Sequence, residues 1–99
     1  MSFLKPDTTF IKIILQLNEE EILTRRSVAK IVEPEFPYIP RPEKFKLALR
    51  GADSYAKILE RCGYAIKLSY RGREYSLQIT EKGKEAAKRL KESGKDESS

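Results

Sequence analysis

Ninety-nine residues, 39% of them apolar and 35% charged, suffice for one compact domain with a single modest core and are too few for two. No run approaches the roughly 20 apolar residues of a membrane span, and Met1–Lys5 is too short and polar for a signal peptide, with no glycine at position 2 for myristoylation. The absence of histidine and a single cysteine, Cys62, leave little for a zinc site, an imidazole base or an internal disulfide, so the chain reads as a non-enzyme of a reducing, cytoplasmic setting, with no metal or cofactor.

The formal net charge of +5 is unevenly placed. Residues 1–40 and 74–99 are close to neutral, whereas residues 41–73 hold nine Lys/Arg against three acids. A basic zone confined to one third of the chain is the footprint of a polyanionic partner.

In chain order, Asp7 and Thr8 offer capping oxygens to a first helix carrying Phe10, Ile11, Ile13, Ile14, Leu15 and Leu17. Apolar around most of its girth, Phe10–Leu17 is either a central core helix or a homodimer interface, joined by Phe3 and Leu4. Ile22 and Leu23 form a short strand-like step. Thr24 caps a second helix over Arg25–Val32, with Val28, Ala29, Ile31 and Val32 inward. Arg25 and Arg26 fall in its first turn, where the helix dipole disfavours cations unless an anion lies nearby.

The run PEFPYIPRP that follows has prolines at 34, 37, 40 and 42, a spacing that suits a polyproline II connector carrying Phe36, Tyr38 and Ile39 into the core. A third helix spans about Glu43 to Cys62. At about 100° per residue, Phe45, Leu49, Ala52, Ala56 and Leu59 share an arc of about 80°, and Lys46, Arg50, Lys57 and Arg61 share one of about 60° roughly opposite. Asp53 and Ser54 border the basic stripe. Gly51 leaves a mid-helix break open as an alternative, at a cost of about 1 kcal/mol relative to alanine. Gly63 serves as a left-handed cap.

Residues 64–80, YAIKLSYRGREYSLQIT, alternate on both arms and predict a hairpin with one buried face, tipped by Arg71, Gly72 and Arg73. Thr80 caps a last helix over about Glu81–Ser93, ended by Gly94. The domain is expected to close at residue 93, with 94–99 a disordered polar tail.

The passage LERCGYAIKL resembles the way MarR- and PadR-type transcriptional regulators leave the recognition helix for the first wing strand. YSLQITEKGKE is similar to the segment that ends their wing and opens the next helix. The resemblance covers about Leu59–Glu85 and implies an α+β, mainly α, winged helix-turn-helix fold: three helices, a two-stranded β wing and a C-terminal helix. The connection of about ten residues before the third helix departs from the three or four usual in a helix-turn-helix.

The resemblance implies a double-stranded DNA-binding protein, a small nucleoid-associated regulator and a homodimer; a core this small leaves little room for a pocket, so no small-molecule ligand is expected. The resemblance assigns Lys46, Arg50, Ser54, Lys57 and Arg61 to the recognition helix and Lys67, Arg71, Gly72 and Arg73 to the wing. Arg25, Arg26, Arg41 and Lys44 are further contacts. In this scheme Arg50 reads a base, with Ser54 and Lys57 beside it, and the other cations meet phosphates. The alternatives are a nonspecific DNA-coating protein and a protein-interaction module.

Overall fold

A computed structural model describes residues 8–69 and 74–98, with the backbone alone for Ser69 and for residues 93–98. The fold is α+β and mostly helical: α1 (Thr8–Glu20), β1 (Ile22–Thr24), α2 (Arg25–Val32), α3 (Arg41–Cys62), β2 (Ala65–Ser69), β3 (Tyr75–Ile79) and α4 (Glu81–Ser98). The strands form one antiparallel sheet in the order β1-β3-β2, so the expected two-stranded ribbon gains a third strand from the Ile22–Leu23 step. None of the described helices is long and apolar enough to cross a membrane.

The first helix spends its strongest apolar residues inside the domain: Ile13, Ile14 and Leu17 are buried, while Phe10, Ile11 and Leu15 are half-buried. It stops at Glu21, which holds a left-handed φ of 68° although it is not glycine. Two hydrogen bonds hold it there. Its N–H donates to the Leu17 carbonyl (2.7 Å), and its own carbonyl accepts from the Ile79 N–H (2.9 Å). The chain then enters β1, where Leu23 sits buried opposite Leu77 of the central strand. Thr24 ends the strand and caps α2, its hydroxyl oxygen accepting from the Ser27 N–H at 3.2 Å.

The proline-rich connector is not an extended polyproline segment. Glu33–Glu35 continues from α2 as one 3-10 turn with Pro34 at its start, and the Phe36 N–H closes onto the Glu33 carbonyl at 2.9 Å. Proline is accepted where the first amide of a turn has no partner to lose. Phe36 and Ile39 reach the domain half-buried, but Tyr38 is 96% exposed and does not enter the core.

The third helix begins at Arg41, two residues earlier than its spacing suggests, because Pro40 serves as N-cap and Pro42 fits the first turn. It buries Ala48, Ala52, Ala56 and Leu59. Phe45 and Leu49 are only half-buried, so small side chains dominate the contact with α2. No break occurs at Gly51. A Cβ there would lie 2.8 Å from Cγ1 of Val32, so the glycine admits the close crossing of α2 over an unbroken helix.

The hairpin register decides which face of the ribbon is buried. Ala65 pairs with Ile79 and Lys67 with Leu77, whereas Ile66 faces Gln78 and Leu68 faces Ser76. Opposed residues share a face, so Ala65, Tyr75, Leu77 and Ile79 lie buried on one face with the exposed Lys67 among them, while Ser76 is buried on the other. Ile66 is 53% exposed and lies in an outer row with Gln78 and Ile22. Alternation marked the two faces of β2 but could not say which was buried, since a one-residue change of register exchanges them.

Thr80 joins the sheet to α4. Its N–H donates to the Tyr64 carbonyl (3.0 Å), its hydroxyl donates to the Gly63 carbonyl (2.6 Å), and its oxygen accepts from the Gly83 N–H (3.0 Å). The two passages that carry the family resemblance thus meet at one clasp. A Cβ on Gly83 would lie 2.2 Å from the Tyr64 carbonyl oxygen, a distance that real Cβ atoms do not tolerate. The fourth helix runs through Gly94 to Ser98, beyond the expected stop.

Two stability predictions follow from these backbone sites. Gly83→Ala is expected to destabilise the domain by about 2 kcal/mol or more, because the obstacle is backbone rather than a movable side chain. Glu21→Gly is expected to stabilise it by up to about 1 kcal/mol, the left-handed strain removed exceeding the added unfolded-state entropy. Chemical denaturation of both variants beside the wild type reads each sign directly.

Candidate nucleic-acid interface

The side of α3 turned away from the core carries Lys46, Arg50, Ser54, Lys57 and Arg61, all exposed. At 1.5 Å per residue, Lys46 and Arg61 stand about 22 Å apart along the axis. None of the four cations has an ion-pair partner among the described residues. They form a cationic ridge on the face opposite the buried alanines.

Beside the ridge lies a clasp that sequence alone did not reveal. Asp53 accepts two hydrogen bonds from the Arg25 guanidinium, Nε to Oδ1 at 2.9 Å and Nη2 to Oδ2 at 3.0 Å. The Tyr75 hydroxyl donates a third at 2.6 Å to Oδ1. The Lys67 ammonium sits 4.7 Å from the centre of the Tyr75 ring, a cation–π contact. One carboxylate of α3 thereby ties down the start of α2 and the start of β3, and Lys67 brings in β2.

Arg25, expected at a phosphate, is therefore engaged by Asp53, with only 11% of its side chain exposed. The anion that its place in the first turn of α2 called for is the Asp53 carboxylate. Lys67 is likewise drawn toward Tyr75, although it remains exposed. Arg26, next to Arg25, is exposed and has no ion-pair partner among the described residues. Arg41 and Lys44 stand apart from the ridge, on the side of α3 that borders α2. Arg71, Gly72 and Arg73 lie outside the described residues. Among the described residues no group of His, Cys, Asp or Glu is gathered as metal ligands would be.

The clasp shifts the protonation of its members. Burial alone would raise the Asp53 pKa, but hydrogen bonds from Arg25 and Tyr75, with the charges of Arg25 and Lys67, hold it below the ordinary 3.8. Tyr75 is pushed well above 10.0, first by burial and then by its hydrogen bond to Asp53. The Arg25 pKa is raised, chiefly by its hydrogen bond to Asp53.

The pH dependence has opposite signs at its two ends. Asp53 binds its proton more weakly when folded, so its contribution is present above the unfolded value near 3.8 and is lost as pH falls through the folded value. Tyr75 holds its proton more tightly when folded, so its contribution is complete below pH 10 and is lost as pH rises further. Asp53→Asn is expected to cost about 1–3 kcal/mol at pH 7. That deficit should narrow below about pH 4, and Tyr75→Phe should lack part of the alkaline loss above pH 10. Urea denaturation across pH for the three proteins measures both slopes.

No family model, curated protein or solved structure matches the chain.

Proposed function

We propose that this chain is a double-stranded DNA-binding protein of the winged helix-turn-helix type, acting as a small transcriptional regulator. The observation that carries the proposal is the unpaired cationic ridge of α3, set opposite the face that builds the core. The element order and the β1-β3-β2 sheet are compatible with a winged helix, with β2 and β3 as the wing.

The length of the ridge divides its roles. A major groove is about 12 Å wide, so a ridge of about 22 Å overhangs it at both ends. Lys46 and Arg61 then meet the flanking phosphates, while Arg50, Ser54 and Lys57 face the base edges, where arginine can bridge guanine O6 and N7. Arg26 supplies one more phosphate contact at the start of α2. Arg71 and Arg73, in the segment joining the wing strands, extend the contact to the backbone or minor groove. Arg25 and Lys67 serve chiefly to position α3 against the wing.

A homodimer belongs to the same proposal, since one such domain makes few phosphate contacts and symmetric dimers read palindromic sites. Its contact is placed at the apolar groove of about 280 Å3 between α1 and α4, where Phe10 and Ile11 face Tyr64, Ala86 and Leu90.

Binding of random-sequence duplex across a salt series tests the proposal, with Arg50→Ala/Lys57→Ala and Arg71→Ala/Arg73→Ala as variants. Log affinity should fall steeply with log salt; Arg71→Ala/Arg73→Ala should flatten the slope by about one to two units, near 0.9 per lost phosphate contact, whereas Arg50→Ala/Lys57→Ala should weaken binding with a smaller change of slope. Selection from a random library should then yield a preferred site, with Arg50→Ala costing about 1–3 kcal/mol and relaxing one position. A wild-type protein that ignores duplex DNA at about 0.1 M salt, where exposed charges still act over about 10 Å, would sink it.

A further inference from the structure

Among the described residues, the cations of α3 fall on two separate surfaces. Beyond the ridge, Arg41 and Lys44 from the first turn of α3 converge with Lys30 of α2 on an open cleft of about 590 Å3, walled by Pro34 and Phe45 with Glu33 also on its lining. At about 100° per residue, Arg41 and Lys44 lie about 150° around α3 from the centre of the ridge. A straight duplex seated on the ridge therefore does not enter this cleft. None of its three cations has an ion-pair partner among the described residues.

We propose that the cleft between α2 and the start of α3 is a binding site for a compact polyphosphate, of the class of inorganic or nucleoside triphosphates. Three cations drawn from two helices onto one concavity match a dense, multiply charged anion rather than an extended one. The volume falls in the range of small-ligand sites, about 300–1,000 Å3. Phe45 and Pro34 add an apolar wall against which a base can lie, and Glu33 on the same lining offers an acceptor for an amino or hydroxyl group. A ligand held by Lys30 on one side and by Arg41 and Lys44 on the other bridges α2 and α3, and so stiffens the angle at which the ridge is presented. The site stands independently of the DNA proposal.

Isothermal titration calorimetry tests this with sodium triphosphate and with ATP, at about 0.15 M salt, where exposed charge acts over only about 8 Å. Wild type should bind each saturably at one site per chain, ATP the more tightly. Lys30→Ala/Lys44→Ala should weaken both by about tenfold or more, Lys30→Arg/Lys44→Arg should restore them, and Arg50→Ala/Lys57→Ala should leave them within about twofold. Circular dichroism melts of each variant confirm that the fold is retained. Failure to saturate would overturn the proposal, as would equal weakening by the cleft and ridge substitutions. Displacement of triphosphate by duplex DNA, lost in the ridge variant, would also overturn it and return the cleft to the DNA footprint. Because the ridge variant tests DNA binding separately, either proposal can fail alone.

Discussion

One carboxylate organises the exposed half of this molecule. Asp53 sits on α3 between the apolar face and the cationic ridge, and accepts from Arg25 of α2 and Tyr75 of β3. Arg25 is largely withdrawn from solvent while Asp53 keeps 41% of its side chain exposed, so the pair avoids the full desolvation penalty of a deeply buried bridge. Its two parallel bonds also fix direction, which a single lysine contact would not. Rotation of α3 about its axis would break both bonds and pull the Tyr75 hydroxyl from its acceptor. The azimuth of the ridge is thus set by a polar contact beside it as well as by the core beneath it.

The core contributes proximity where the clasp contributes orientation. Ala48, Ala52 and Ala56 line the buried face of α3, and Gly51 lets Val32 press onto the helix backbone. Small residues bury little area each, at about 25 cal/mol per Å2. What they allow is close approach, which places Arg25 within reach of Asp53 across 28 residues of sequence. Apart from Leu59 of α3 itself, the larger side chains that supply most apolar burial come from elsewhere: Ile13, Ile14 and Leu17 of α1, Val28 and Val32 of α2 and Leu77 of the central strand. The helix that carries the charge is therefore braced by neighbours rather than by its own bulk.

Much of this was legible in the sequence where a local rule was strong. Thr24 and Thr80 at helix starts, Gly63 after α3 and the cationic spacing of α3 each have one physical meaning, and the fold honours it. Illegible were the features that depend on partners distant in the chain. The Asp53–Tyr75 contact joins residues 22 apart, and nothing near either one announces the other. A signal for the clasp did exist in Arg25, a cation in the first turn of a helix, which demanded an anion without naming it. The buried face of β2 was equally hidden, because pairing parity is decided across the hairpin. The proline run misled for a different reason: a spacing of three suits both polyproline II and a succession of tight turns.

The partition of cations gives the arrangement its sense. Arg25 and Lys67 are engaged inside the clasp, the ridge residues stand unpaired along α3, and Lys30, Arg41 and Lys44 gather at a cleft around the helix. Unpaired like charges held on a rigid helix repel one another, and folding gains nothing by collecting them. Glu43 and Glu60 of α3 stand exposed within a turn of the ridge cations yet pair with none of them among the described residues, and Asp53 is spent on Arg25. On the proposed reading, a bound polyanion would neutralise the ridge cations. A polyanion on the ridge would relieve the repulsion at binding, so part of its affinity is stored in the folded protein as unpaired charge on a helix too well braced to rearrange.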